Sequence, residues 1–239
     1  MKLLAFDTST ELLSIALQPG AGAALLTHDG AGGAQASASL IPAIESLLAR
    51  AGLQLAQLDA IAFGRGPGSF TGLRTACAVA QGLGFGSGVP VLPLDTLLAV
   101  AEEAHGRSGA TQVIAVLDAR MGEVYSAAYR RRPDGQWDTV QPPQLGRPDD
   151  LALPPGWTVA GHGLALLGER LPAGAVAALP TAAALLRLAP GALALHPGAD
   201  AAQALPLYIR DKVAQTTEER AAERARKEMN RGAAADRPS

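Results

Sequence analysis

Residues 64–75 read GRGPGSFTGLRT and join an apolar run at residues 59–64 to a segment with helical character. Glycines, a proline and three hydroxyl residues at a strand-to-helix junction are typical of phosphate-binding loops. The first question is therefore whether this glycine loop holds a nucleotide.

Two nucleotide-binding patterns fail on residues that they require. A Walker A loop needs glycine at its sixth position and lysine next, whereas counting from Gly64, Gly66 or Gly68 ends at Ser69, Thr71 or Leu73. The dinucleotide pattern GxGxxG matches Gly64 and Gly66, but Ser69 replaces its third glycine. The loop predicts a rigid junction instead, with Ser69 or Thr71 capping the next helix and Phe70 serving either as a core plug or as an interface anchor.

The helix after the loop carries a small residue at every fourth position: Gly72, Ala76, Ala80 and Gly84. Such a stripe lets a second helix approach closely. It indicates either a docking surface, if it faces outward, or tight packing on a sheet, if it faces inward.

Outward from the loop, the apolar patterning predicts an α/β lobe over residues 1–104. Its strands are predicted at 2–8, 12–18, 23–29, 59–64 and 89–95, with helices over 37–51, for about fifteen residues from Thr71, and over 96–105. A second, smaller lobe over 105–203 begins with two strands around Met121–Gly122, has irregular edge structure at 133–158, and then a short strand and two helical pieces. Both lobes begin with antiparallel strands, which indicates a duplication. Residues 214–239 form a charged tail, helical or disordered.

Composition limits the functional classes. The 239 residues are 48% hydrophobic and 18% charged with a net charge of -2, which is typical of a globular chain and offers no electrostatic case for nucleic-acid binding. The single cysteine, Cys77, excludes an internal disulfide, and the four histidines have no zinc-site spacing. Without a signal peptide or an eighteen-residue apolar run, we expect a cytoplasmic protein with no membrane contact.

Four motifs occur in a characteristic order and spacing: DTST at residues 7–10, GRGPGSFTGLR at 64–74, DARMGEVY at 118–125 and PLYIR at 206–210. Together they resemble the TsaB (YeaZ) family of bacterial tRNA threonylcarbamoyladenosine biosynthesis, over residues 1 to about 213. The resemblance implies an α/β fold of the ASKHA type, shared by actin, Hsp70 chaperones and sugar kinases, with two ribonuclease-H-like lobes. A segment at about 204–213 is expected to pack back on the first lobe.

The resemblance also implies partners. TsaD, a paralogous catalytic subunit, transfers a threonylcarbamoyl group to the tRNA adenosine beside the anticodon, and the ATPase TsaE acts with both proteins. This chain is expected to form a homodimer when alone and to meet tRNA through the complex. ATP and metal are expected in the partner subunits, with no cofactor bound by this subunit alone.

The residues agree with a non-catalytic role. Asp7-Thr8-Ser9 stands where nucleotide-binding relatives of the fold carry Asp-x-Gly, and Ala36 stands where many family members keep a histidine. No catalytic or metal-binding residue is therefore assigned, and Asp7 is only a weak cofactor-binding candidate. Asp118 and Glu123 are further carboxylates without an acid-base partner. The cluster Arg130, Arg131 and Arg132 either touches tRNA phosphates or is a solvated hairpin end.

The first hypothesis is thus a scaffolding subunit that binds and activates a TsaD-type partner. Phe70 and Leu73 are its candidate anchors, Arg74 lies at the polar edge, and Ala76→Arg or Ala80→Arg is expected to abolish the complex without unfolding the chain. The full predicted interface is Gly66, Pro67, Gly68, Ser69, Phe70, Thr71, Gly72, Leu73, Arg74, Ala76, Cys77, Ala80 and Gly84. The alternatives are a nucleotide-dependent phosphotransferase or hydrolase with its site at Asp7, and direct tRNA binding by this subunit alone.

Overall fold

The computed structural model describes residues 1–195, 198 and 200–210. Residues 1–209 form one compact unit. Within the described residues, ten strands and four α-helices are arranged around two five-stranded sheets. The predicted tail at 214–239 lies outside the described residues.

The first sheet has the strand order β3-β2-β1-β4-β5. Three consecutive strands run antiparallel, and β4 and β5 then lie parallel to β1. The bounds are β1 Leu3–Asp7, β2 Leu12–Gln18, β3 Leu26–Ala31, β4 Ala60–Gly66 and β5 Val91–Asp95. The third strand lies later than predicted, because its pairing with β2 rather than its own weak apolar pattern decides its limits.

The second sheet repeats this topology with the order β10-β9-β6-β7-β8. Its first three strands are again antiparallel, and β9 and β10 again run parallel to the first of them. The bounds are β6 Gln112–Arg120, β7 Glu123–Arg131, β8 Trp137–Gly146, β9 Thr158–Gly161 and β10 Val176–Ala177. The predicted two-lobed ASKHA-type fold with duplicated ribonuclease-H-like sheets is confirmed.

The expectation of irregular structure at 133–158 is wrong for its first half, which contains the ten-residue strand β8. Pro142 and Pro143 had obscured this strand. They lie where the pairing with β7 shifts register, between the pairs Ser126–Gln144 and Ala128–Gln141. Prolines are tolerated there because β8 is an edge strand with one unpaired side.

The helices do not follow the predicted lobe boundaries. The helices α1 (Ala36–Ala51) and α2 (Phe70–Ser87) pack on one face of the first sheet, within the predicted first lobe. However, α3 (Thr96–Ser108) buries its apolar face against the second sheet, and α4 (Ala182–Leu195) buries its own against the first. Each lobe therefore receives a helix from the other half of the sequence, so the boundary between residues 104 and 105 does not separate two independent cores.

Capping residues determine where α2 begins and ends. Ser69 is the N-cap, and its hydroxyl accepts the backbone N–H of Gly72 at 3.5 Å. Gly88 ends the helix in a left-handed conformation with φ 73°. The glycine loop and α2 are thus one continuous strand-turn-helix unit that begins with β4.

Candidate functional site

The glycine loop lies against the DTST turn of the same chain. A Cβ on Gly64 would lie 1.8 Å from Asp7 Oδ2, and one on Gly72 would lie 1.8 Å from the Thr8 carbonyl oxygen. A Cβ on Gly68 would lie 2.5 Å from the carbonyl oxygen of Ser9. Since no side chain fits at such distances, the glycines permit the loop and the DTST turn to meet, whereas the glycines of a nucleotide-binding loop admit a phosphate.

Hydrogen bonds hold these two segments together. The backbone N–H of Ser69 donates to the Ser9 carbonyl at 2.7 Å, and the Thr8 hydroxyl donates to the Gly72 carbonyl at 2.7 Å. Thr8 and Ser9 are buried, as are Gly64, Gly66 and Gly72 of the loop beside them. The DTST turn and the glycine loop therefore act as one packed unit.

Asp7 is fully buried within this unit. Its Oδ1 accepts the backbone N–H of Ser9 at 2.8 Å and the Ser9 hydroxyl at 2.6 Å. Its Oδ2 faces Gly64 and has no hydrogen-bond partner among the described residues. Burial raises the pKa of the Asp7 carboxyl to about 6, although the hydrogen bonds from Ser9 oppose part of that rise.

Asp118 occupies the equivalent place in the second sheet. Its Oδ1 accepts the backbone N–H of Arg120 at 2.6 Å, as Asp7 accepts that of Ser9, and its Oδ2 pairs with the Arg120 guanidinium at 3.3 Å. Each carboxylate thus stabilises the turn that follows the first strand of its sheet. Glu123, the other carboxylate considered, begins β7 opposite Arg120.

One pair that sequence reasoning missed lies at the strand ends of the two sheets. His162, between Gly161 and Gly163 after β9, has Nε2 3.7 Å from Oε2 of Glu11. The sequence feature that could have identified His162 is its position between two glycines at the end of a strand. Within residues 1–195, 198 and 200–210, no three or more His, Cys, Asp or Glu side chains are grouped to hold a metal ion.

The small-residue stripe of α2 faces inward, so its predicted role as a docking surface is wrong. Ala76 and Ala80 have no exposed surface, and they pack with α1 and the first sheet. Gly72 contacts Thr8, and a Cβ on Gly84 would lie 2.8 Å from Ala201 Cβ and 2.9 Å from Val91 Cγ1. The stripe exists because backbone and methyl groups of the same chain approach it closely.

Other members of the predicted interface are also buried. Leu73, a proposed anchor, is only 1% exposed and packs against Gly66. Cys77 is 5% exposed, and burial raises the pKa of its thiol to about 11. Gly66 and Pro67 are buried as well, and Gly68 is half-buried. The exposed members are Ser69, Phe70, Thr71 and Arg74.

The opposite side of α2 is exposed and also carries small residues. We call Thr71, Arg74, Ala78, Gly82 and Phe85 the outer face; they are exposed and recur at spacings of three and four residues. A Cβ on Gly82 would meet nothing within 4 Å. Phe85 is 65% exposed at one end of this face and Phe70 is 38% exposed at the other. Exposed apolar surface of this kind is typical of a protein-protein contact.

The first helix extends this exposed surface. It lies beside α2 on the same side of the first sheet, and its Ile41 is 43% exposed. Pro42 and Glu45 are exposed next to it. Two adjacent helices therefore present one partly apolar surface.

The three arginines of the cluster at residues 130–132 make different contacts rather than pointing together at the surface. Arg131 points inward, and its Nη1 lies 2.9 Å from Oε2 of the buried Glu102. Arg132 pairs with Asp134 at 2.7 Å and Asp138 at 3.5 Å. The guanidinium of Arg130 lies 5.8 Å from the centroid of the Trp157 ring. Sequence adjacency was misleading here because alternate residues of a strand point in opposite directions.

Comparisons with known proteins agree with this geometry. Residues 32–229 match the family model of TsaD, described as tRNA N6-adenosine threonylcarbamoyltransferase. The chain is 36% identical to the tRNA threonylcarbamoyladenosine biosynthesis protein TsaB of Escherichia coli over 175 residues, 68% of this chain and 72% of that protein. It is 35% identical to TsaB of Haemophilus influenzae over 236 residues, 89% of this chain and 95% of the relative.

Among solved structures, YeaZ from Pseudomonas aeruginosa superimposes with a TM-score of 0.79 at 40% identity. The match covers 87% of this chain and 99% of the other. None of the helices in the described part of the chain combines the length and apolar composition that a membrane crossing requires.

Proposed function

Because this chain belongs to the TsaB (YeaZ) family and thus has a role in threonylcarbamoyladenosine modification of tRNA, we propose that it is the non-catalytic subunit that binds and activates a TsaD-type catalytic subunit. The observation that carries this proposal is the outer face of α2, which is exposed, includes the small residues Ala78 and Gly82, and has the exposed rings of Phe70 and Phe85 at its two ends. This surface keeps Phe70, Thr71 and Arg74 of the predicted interface, but the exposed residues Ala78, Gly82 and Phe85 replace the buried stripe.

The proposed partner has a fold related to this one, since this chain itself matches the TsaD family model over residues 32–229. A helical face that pairs two copies of this chain can also pair it with a paralogue, because the two share the same helices. Small residues such as Ala78 and Gly82 let the opposing helix approach closely, while the phenylalanines supply apolar area. The homodimer of the isolated chain and the heterodimer would therefore compete for one surface.

The packed DTST turn supports a role without catalysis by this subunit. Asp7 Oδ2, which has no hydrogen-bond partner in the part of the chain that the structure describes, faces Gly64 rather than open space, and Oδ1 accepts both hydrogen bonds from Ser9. ATP and metal are assigned to the TsaD-type and TsaE-type partners, and tRNA is met through the complex in the cytoplasm. Calorimetry with ATP and magnesium on the isolated chain tests this directly; saturable binding that Asp7→Ala abolishes would favour the enzymatic alternative.

The surface itself is tested with Ala78→Arg and Gly82→Arg in the full chain. Both positions are exposed, so we expect the fold to survive, while affinity for the TsaD-type paralogue falls by more than about tenfold because a charge is buried in the contact. Thr139→Arg, exposed on the edge strand β8, introduces the same charge elsewhere and is the control. Wild-type affinity of both α2 variants in calorimetry would reject this surface.

Activation is tested separately, with purified TsaD-type and TsaE-type partners and tRNA. At concentrations near the wild-type dissociation constant, the yield of modified adenosine should be lower with the α2 variants than with the wild type. It should recover when the concentration of the variant is raised. Full modification without this chain would refute an activating role.

A further inference from the structure

The PLYIR motif has no role in the site described so far, yet the segment containing it lies along α2 and the glycine loop. Near the far end of α2, the Gln81 side chain donates to the Ala204 carbonyl at 3.1 Å. At the loop, the backbone N–H of Leu207 donates to the Arg65 carbonyl at 2.8 Å. A Cβ on Gly66 would lie 2.8 Å from the Leu207 carbonyl oxygen, so this glycine admits the segment. Residues 204–209, which we call the strap, cover the loop.

Tyr208 of the strap meets two exposed residues at the start of α2. Its ring centroid lies 5.4 Å from that of Phe70 with an interplanar angle of 32°, and its hydroxyl accepts from Arg74 Nε at 3.2 Å. The Arg74 guanidinium in turn lies 4.0 Å from the centroid of the Phe70 ring. Each of the three side chains therefore contacts the other two.

This arrangement stays at the surface. Phe70 is 38% exposed and Tyr208 is 46% exposed, so these contacts lie at the surface and not in the hydrophobic core. They do restrict the rotamers of Phe70 and Arg74. Fixing a flexible side chain before association removes part of the entropy cost that binding would otherwise carry.

We propose that Tyr208 is a positioning residue that holds Phe70 and Arg74 in the orientation in which the outer face meets its partner. This inference rests on the proposed function, because it concerns the same surface. It holds that the orientation of side chains there depends on a residue 134 positions away in sequence from Arg74. It gives the PLYIR motif a physical role in recognition of the TsaD-type paralogue.

The experiment measures affinity of full-length variants for that paralogue by calorimetry, with urea unfolding of each variant alongside. We expect Tyr208→Ala to weaken binding about five- to tenfold, and Tyr208→Phe, which loses only the hydroxyl, to weaken it less. Leu205→Ala is the matched control, since Leu205 is 62% exposed in the same strap, and its affinity should be unchanged. If Tyr208→Ala fails to fold, Tyr208→Phe decides.

A double-variant comparison separates positioning from direct contact. In a Phe70→Ala, Arg74→Ala background, adding Tyr208→Ala should cause no further loss of affinity. An equal loss in both backgrounds would overturn the inference, as would wild-type affinity of Tyr208→Ala while Phe70→Ala binds weakly; in the latter case the proposed surface stands. Wild-type affinity of Phe70→Ala together with Ala78→Arg would instead reject the surface itself.

Discussion

The α-carbon of Gly72 lies against the carbonyl oxygen of Thr8, so closely that a Cβ there would be 1.8 Å from that oxygen, and the Thr8 hydroxyl donates back to the Gly72 carbonyl at 2.7 Å. Two motifs separated by some sixty residues thus meet through one glycine. The contact orients α2, because it fixes which side of the helix faces the first strand.

Gly72→Ala should lower the free energy of unfolding by about 3 kcal/mol, since the added methyl group must displace backbone rather than a flexible side chain. Gly82→Ala is the matched control in the same helix: its Cβ would meet nothing within 4 Å. There the helix propensity of alanine should raise stability by up to about 1 kcal/mol. Urea unfolding of both variants checks the pair, and equal effects would show that Gly72 is not in tight contact.

Asp7 should make stability depend on pH. Its pKa is about 6 in the folded chain, above the ordinary value of 3.8 for an aspartate, so the folded state holds the proton more tightly. The stabilisation from protonated Asp7 is therefore complete below about pH 4 and is lost as pH rises through about 6. Relative to the wild type, the free energy of unfolding of Asp7→Asn should therefore rise by about 3 kcal/mol from pH 4 to pH 7, because the pKa of Asp7 differs by roughly two units between the folded and unfolded states.

The check is urea unfolding at several pH values, with Glu45→Gln as control because Glu45 is exposed on α1. The control should follow the wild-type pH profile. A constant difference between Asp7→Asn and the wild type across this range would mean that the Asp7 carboxyl titrates alike in both states.

Two neighbouring arginines, Arg131 at the end of β7 and Arg132 in the following turn, should differ sharply in their contribution to stability. Arg131 and Arg187 both donate to the buried Glu102 at 2.9 Å, and the Trp137 indole N–H also donates to it at 2.9 Å. Arg131→Ala removes one partner of a buried carboxylate and should cost about 3 kcal/mol of stability. Arg132→Ala, whose side chain pairs only with exposed carboxylates, should leave the thermal midpoint unchanged. Similar midpoints for both would contradict the inward orientation of Arg131.

Thiol labelling reports the two sides of α2. Cys77 is 5% exposed and burial raises the pKa of its thiol to about 11, so iodoacetamide at neutral pH should label it only after unfolding. In Gly82→Cys the new thiol should react in the folded chain and be protected when the TsaD-type partner is bound. Intact-mass measurement counts the labels, and an unprotected Cys at position 82 in a saturated complex would argue against the outer face as the contact.

Much of the fold was predictable because it depends on local pattern. The apolar patterns of β1, β2, β6 and β7 predicted the antiparallel strands with which both sheets begin. The glycine after α1 predicted where that helix ends. The strand β8 was missed because its edge position, which alone tolerates Pro142 and Pro143, is a property of the sheet rather than of the segment. The exchange of α3 and α4 between lobes was missed for the same kind of reason.

The candidate site, too, was predictable in part from the sequence and in part only from the tertiary structure. By itself the sequence determined that the glycine loop lacks the residues of a nucleotide-binding loop, that α2 is rich in small residues, and that four motifs belong to one family. It did not determine which side of α2 is buried, because Gly72, Ala76, Ala80 and Gly84 face inward while Ala78 and Gly82 form a similar row outward. Only the tertiary structure decided between them, since the choice depends on the Thr8 carbonyl at Gly72 and on Val91 and Ala201 at Gly84, which reach α2 from other parts of the chain.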